Sequence, residues 1–287
     1  GSATLTAVIG TTETKKGVRW ETFTCLSHLL RAFQGARIPL SDDEQKVFSW
    51  FGNIREEPAF KERWQVAQHN AYPRATLLML AALLFDLLPA SQDTNPSSSA
   101  RNQPPSESLL QAMRDDLQRL ALGRQATDFI ILLLRHAQAP WQLAPLSESG
   151  GVRQWSAGKH YFQRYGEQGI DLSVFCLACH PARLESLSPN KTGHGYTKTL
   201  IDLLDAYYHA YEELIPPALI DGQDILALLG IPPGPLVGML LAEVRNAQLD
   251  GAIQTREEAL ALLKDRAAQR ARENSSNSNE ERRKKIT

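Results

Sequence analysis

Residues Asp221–Leu263 read DGQDILALLGIPPGPLVGMLLAEVRNAQLDGAIQTREEALALL. The stretch spells two short amphipathic helices joined by a Gly/Pro loop, then a third helix with its own start signal. Ile225, Leu228 and Leu229 fall on one face of the first helix. Gly230 can end that helix with positive φ, and Pro232 and Pro233 forbid its continuation. Pro235 opens the second helix near Leu236, where a missing N–H costs nothing. The spacing of Leu236, Met239, Leu240 and Val244 predicts its buried stripe, and Gly238 permits close approach by another backbone or by a phosphate. Thr255 with Glu258 three residues on is a capping box. These glycines and prolines are first of all the punctuation of a helical hairpin. A loop that aims helix N-termini at one place is also an anion site.

Helical periodicity continues through the rest of the chain. Trp20, Phe23, Leu26, Leu30 and Phe33 recur at helical spacing, with His28 on or beside the buried face. Ser41 and Glu44 cap a helix carrying Val47, Phe48 and Phe51, and a connecting region covers Arg55–Asn70. Arg74–Leu88 is apolar nearly all round, the mark of a central buried helix. Residues 89–107 change abruptly to Ser, Asn, Gln and Pro and read as a flexible insertion. Helices follow at Ser108–Leu122 and Ala126–Ala137, broken at Gly123, then from near Lys159, over Ile170–His180, and over Thr197–Leu214. No useful period-2 alternation occurs, so the class is all-α: an elongated helical bundle with a body over residues 18–215 and a small tail over 216–272. Residues 1–17 and 273–287 read as disordered ends.

The chain has 287 residues, 43% hydrophobic, enough to bury a sizeable core. A formal net charge of -1 argues against a strongly basic nucleic-acid binder, although a local patch can act on a neutral protein. No run approaches the roughly 18 apolar residues of a membrane helix, no secretion signal is visible, and three cysteines suit a reducing cytosol. The expected setting is the cytoplasm, with no membrane partner.

The order D-G-x-D-I, L-G-I-P-P-G-P, A-Q-x-D-G, T-R-E-E-A along residues 221–263 resembles the C-terminal tail of bacterial tRNA nucleotidyltransferases, the CCA-adding and poly(A) polymerase family. KHYFQRYGEQGIDLSVFCLACHP resembles the segment before that tail, and LLLRHAQAP an upstream helix end. With the first helix the resemblance spans most of residues 20–265, weakening before Arg74. Those enzymes catalyse with an N-terminal head, whose G-G-x-V-R-D-like run and paired strand aspartates are not found in this sequence. The resemblance therefore implies the body and tail that grip tRNA, with no catalysis and no cofactor in this chain, and a separate nucleotidyltransferase head as a partner.

The body also resembles an HD-type phosphohydrolase plan, in which a histidine, a His-Asp pair and a later aspartate converge on a divalent metal. His28 stands at the first position, but Phe85 replaces the histidine before Asp86, and Cys179 the late aspartate. A phenyl ring cannot coordinate a metal, so no metal site is expected, and a residual hydrogen bond between His28 and Asp86 is the structural role left. Cys176, Cys179 and His180 spell C-x-x-C-H, but haem attachment needs export and zinc needs more ligands. Buried small hydrophobes are the favoured role for both thiols.

Candidate RNA contacts are Arg124, Arg135, His136, Lys159, Arg164, Lys191, Lys198 and Arg245, with Gly234 and Gly238 in the hairpin. Singly each cation is an ordinary solvated charge; on one face they would grip phosphate irrespective of sequence. Tyr161, Tyr165, Tyr207, Tyr208 and Tyr211 are spaced for packing, with one or two left at the rim to stack on unpaired bases. The expected function is RNA binding, with tRNA as ligand. The alternatives are a metal-dependent phosphohydrolase using other ligands and a protein-interaction scaffold derived from the RNA-binding module.

Overall fold

Capped amphipathic runs make this a chain of helices, and the computed structural model describes residues 21–65, 67–68, 72–87, 105–143, 151–179 and 194–269. The first helices are α1 (Glu21–Phe33), α2 (Asp42–Trp50) and α3 (Pro58–Arg63). Two-residue strands β1 (Ala67–Gln68) and β2 (Tyr72–Pro73) pair antiparallel ahead of α4 (Arg74–Leu87). Next come α5 (Glu107–Arg119), α6 (Arg124–His136), α7 (Ser156–Tyr165), α8 (Gln168–Cys179), α9 (His194–His209) and the single turn α10 (Tyr211–Leu214). α11 (Gly222–Leu229) and α12 (Pro235–Leu249) form the hairpin, and α13 runs over 256–269. That one short pair is the whole sheet among the described residues, and the all-α class holds.

The described residues of Gly1–Pro145 and Tyr165–His209 form one compact unit, and those of Leu146–Arg164 and Ala210–Thr287 a second. The second unit thus takes in a segment well upstream of the expected tail boundary at residue 216. The insertion at 89–107 lies outside the described residues up to 104. Its last residues begin α5, where the Ser106 hydroxyl accepts from the Leu109 amide at 3.3 Å. The two expected disordered ends also lie outside them.

In the first unit α4 and α8 are the apolar centre, and α8 is buried from Gly169 to Cys179. α1 packs on both, and α6 on α4 and α5. Phe33 closes an aromatic cluster with Phe51 at 4.7 Å and Phe60 at 5.0 Å between ring centres, and Phe60 meets Trp64 edge-on at 5.1 Å. Arg55–Asn70 is therefore more than a connection. Pro58 starts α3 with its φ preset, and Phe60 and Trp64 are fully buried. A helix of six residues is too short for periodicity to register. The expected helix over Thr197–Leu214 ends at His209; Ala210, at φ -136, breaks it before α10.

The hairpin's punctuation acts as read. Gly230 caps α11 in the left-handed region at φ 61, donating to the Leu226 carbonyl, and Pro235 is in the first turn of α12. The Thr255 hydroxyl accepts from the Glu258 amide, and the Glu258 carboxylate accepts from the Thr255 amide. The stripe of α12 keeps Leu240 and Val244 of the one expected, but Val237 takes the place of Leu236 and Met239. Leu236 is 42% and Met239 53% exposed, whereas Val237, Leu240 and Val244 are buried. Both sets fit helical spacing. Ile225, Ile253, Ala259 and Leu263 all pack on the Val237 side, and that decides between them.

Candidate nucleic-acid interface

The positions resembling an HD centre lie on α1, α4 and α8, but their side chains are engaged elsewhere. Asp86 does not pair with His28. Its carboxylate accepts from the amides of Thr22 and Phe23 at 3.3 and 2.9 Å, which satisfies the open first turn of α1. His28 Nδ1 instead meets Glu44 Oε1 at 2.9 Å, and Glu44 also accepts from the Ser41 amide in the cap of α2. Phe85 lies edge-on to Phe175 at 5.8 Å. Cys25, Cys176 and Cys179 are buried and outside any disulfide, and the burial of Cys176 and Cys179 fits the small-hydrophobe role expected of them. Burial pushes the Cys179 thiol well above its ordinary range, and nearby Cys176, Asp86 and Cys25 add to this. Among the described residues no group of three or more His, Cys, Asp or Glu is placed to hold a metal ion. His180 of the C-x-x-C-H run lies outside the described residues.

A different charged centre was not singled out from sequence. Asp171 on α8 is fully buried and accepts from Arg63 Nε and Nη2 at 3.1 and 2.8 Å and from Arg74 Nη1 at 3.3 and 3.0 Å. It joins α3, α4 and α8. Nothing in an apolar run announces which distant arginines will meet a lone aspartate, so spacing could not have found it.

The nine candidate contact residues within the described set are divided between the two units; Lys191 lies outside that set. In the first unit Arg124 and Arg135 stand at opposite ends of α6, about 16 Å apart along its axis. The Arg124 side chain is 88% exposed, with Asp128 at 3.8 Å. Arg135 is forked onto Glu107 at 3.1 and 2.6 Å, His136 lies against Tyr165 at 5.3 Å, and Lys198 pairs with Asp202 at 2.6 Å. In the second unit Arg164 is exposed.

Lys159 and Arg245 are structural where solvated cations were expected. Lys159 is buried and donates to the Arg153 carbonyl, and burial lowers its ammonium below the ordinary lysine value. Arg245 Nη1 donates to the Pro216 carbonyl at 2.7 Å and to Gln248 Oε1 at 2.8 Å, and Gln248 Nε2 donates to the Pro217 carbonyl at 2.7 Å. A Pro-Pro break strands carbonyls outside any helical ladder. Two side chains three residues apart on α12 satisfy them. The sequence signal existed, in a Pro-Pro pair ahead of an Arg-x-x-Gln helix, but its meaning depends on how the chain folds back.

Gly234 and Gly238 are exposed, and a Cβ at either would meet nothing within 4 Å. No other part of the described chain approaches Gly238 closely, so the space there is open to a ligand. Asp221, Gly222, Pro233 and Gly234 line a shallow depression beside it. The start of α11, on the rim of that depression, is closed by a capping box that the D-G-Q-D run could have revealed. The carboxylate of Asp221 accepts from the Asp224 amide at 3.0 Å, and Asp224 reciprocates. Asp224 also accepts both terminal nitrogens of Arg256 on α13. Its carboxyl is held below the usual range, first by the Asp221 amide and then by Arg256.

No family model and no solved structure matches the chain. It is 30% identical over 151 residues to a CC-adding tRNA nucleotidyltransferase of Synechocystis, covering 52% of this chain and 32% of that protein. A CC-adding tRNA nucleotidyltransferase of Geobacter sulfurreducens is 32% identical over 151 residues, covering 51% of this chain and 30% of that one. An A-adding tRNA nucleotidyltransferase of Deinococcus radiodurans is 42% identical over 48 residues, 17% of this chain and 11% of that protein. About half of this chain is thus similar to bacterial tRNA nucleotidyltransferases, and the matched part spans about a third of the length of the Synechocystis and Geobacter proteins.

Proposed function

We propose that this chain binds tRNA, as the gripping body and tail of a nucleotidyltransferase-like protein whose chemistry belongs to a head domain. The observation that carries the reading is the similarity of half the chain to CC-adding tRNA nucleotidyltransferases. The residues offered for grip are Arg124, Arg135, His136 and Lys198 in the first unit, and Arg164 with the open amide-bearing loop at Gly234 and Gly238 in the second. Lys191 completes the set from sequence. Lys159 and Arg245 support it from inside the second unit. Among the described residues no helix is long and apolar enough to cross a membrane, and the reading places the work in the cytoplasm.

The test is a tRNA titration at about 50 and about 200 mM salt, where each phosphate contact contributes a slope of about -0.9 in log K against log salt. Binding should weaken steeply with salt, and Arg124→Gln or Lys198→Gln should each reduce the slope by about 1. Absence of binding at the lower salt overturns the reading. A protein-interaction scaffold is the second reading, favoured by the exposed Leu236 and Met239 beside the hairpin loop. It predicts no tRNA binding at either salt concentration.

A further inference from the structure

The second unit holds a groove of about 510 Å³ between Gln163, Tyr211, Pro216, Leu241, Arg245 and Gln248. That volume lies within the range of about 300–1,000 Å³ of small-ligand sites. Its walls are mainly apolar, and the Tyr211 ring at its edge is 49% exposed.

The polar atoms of the groove are ordered by one guanidinium. Arg245 can only donate, and it donates through Nη1 to Gln248 Oε1 at 2.8 Å and through Nε to Gln163 Oε1 at 3.3 Å. Both amides are therefore fixed in orientation, with their oxygens turned to Arg245. Gln248 Nε2 is occupied by the Pro217 carbonyl, and Arg245 Nη1 also holds the Pro216 carbonyl. Gln163 Nε2 and Arg245 Nη2 make no hydrogen bond among the described residues. Both are donors. The side-chain amide oxygens of Gln163 and Gln248 each already accept from Arg245, and Pro216 and Pro217 have no N–H. A ligand for this place is flat and apolar on its faces and carries acceptors on one edge.

We propose that the groove receives one unpaired nucleobase of bound RNA, stacked on Tyr211, with acceptor atoms turned to Gln163 Nε2 and Arg245 Nη2. Uracil and cytosine, through a ring carbonyl, and guanine, through O6 and N7, satisfy two donors. Adenine has no carbonyl oxygen, and its N1 and N7 acceptors both stand beside the exocyclic amine. The inference rests on the RNA-binding reading above and adds a base preference, which phosphate grip alone does not supply.

The full chain and its Tyr211→Ala and Gln163→Leu variants are titrated with tRNA at two salt concentrations, and with short oligouridylate and oligoadenylate. Thermal melts confirm that the variants fold. The groove predicts that each variant binds tRNA about tenfold or more weakly with an unchanged salt slope. Tyr211→Phe should bind as the parent does, and oligouridylate should bind more tightly than oligoadenylate through a preference that Tyr211→Ala abolishes. Parent-like tRNA affinity in both variants, a loss accompanied by a shallower salt slope, or equal affinity for the two oligonucleotides overturns it. Uridylate preference without tRNA binding keeps the groove and removes the tRNA reading. Binding of tRNA without a base preference does the reverse.

Discussion

Asp171 carries a carboxylate out of water and into contact with two guanidiniums, Arg63 and Arg74, each itself almost fully buried. Burial pushes its carboxyl up to about 7 against the pull of Arg63. An acid whose folded value lies above its ordinary 3.8 takes up a proton on folding. Its contribution to stability is therefore greatest at low pH and declines as pH rises from about 4 through 7. Removing one guanidinium leaves more of the buried charge uncompensated. Arg74→Met should cost about 3–5 kcal/mol in urea unfolding at pH 8, and markedly less at pH 5, where the carboxyl is protonated. A cost independent of pH would mean that Arg74 acts through packing alone. None of the three residues stands out in the sequence, because their charges become a site only when α3, α4 and α8 meet.

At the level of elements, α12 decides how the hairpin is used. Gly234, Pro235, Leu236 and Met239 are exposed together at one end of the helix, while Val237, Leu240 and Val244 face Ile225 and Ile253. Leu240→Ala should therefore cost about 2–5 kcal/mol of stability, and Met239→Ser should change it by no more than about 0.5 kcal/mol. Chemical denaturation of the two variants checks this, and the reverse order would restore the Leu236–Met239 face to the interior. The local signals of the hairpin were legible because each acts within four residues: the left-handed Gly230 cap, Pro235 at the first turn, and the Thr255–Glu258 box. The facing of α12 was not. Its apolar residues satisfy two adjacent stripes, and only its neighbours distinguish them.

Over the length of the chain, contacts between distant segments close each unit. His209 at the end of α9 places Nδ1 3.0 Å from Asp205 and Nε2 3.1 Å from Glu57, 152 residues earlier. The hydrogen bond to Glu57, then the charge of Asp205, raises the imidazole above its ordinary 6.5. Its stabilising contribution is complete below 6.5 and is lost as pH rises through the raised folded value. Exposure keeps the effect small. The melting temperature should fall slightly across that window, and His209→Gln should flatten the fall; an unchanged profile would show that the bridge contributes nothing. Helix class, caps, the buried α4 and α8, and the likeness to tRNA nucleotidyltransferases were all written in the sequence, because they depend on periodicity and on residues close together in the chain. Tertiary structure alone decided that Asp86 caps α1, that Lys159 is buried, that Arg245 orders a donor-lined groove, and that Leu236 and Met239 face solvent. The physical reason is that burial and hydrogen-bond partners are properties of pairs, and the members of these pairs meet only after the helices have packed.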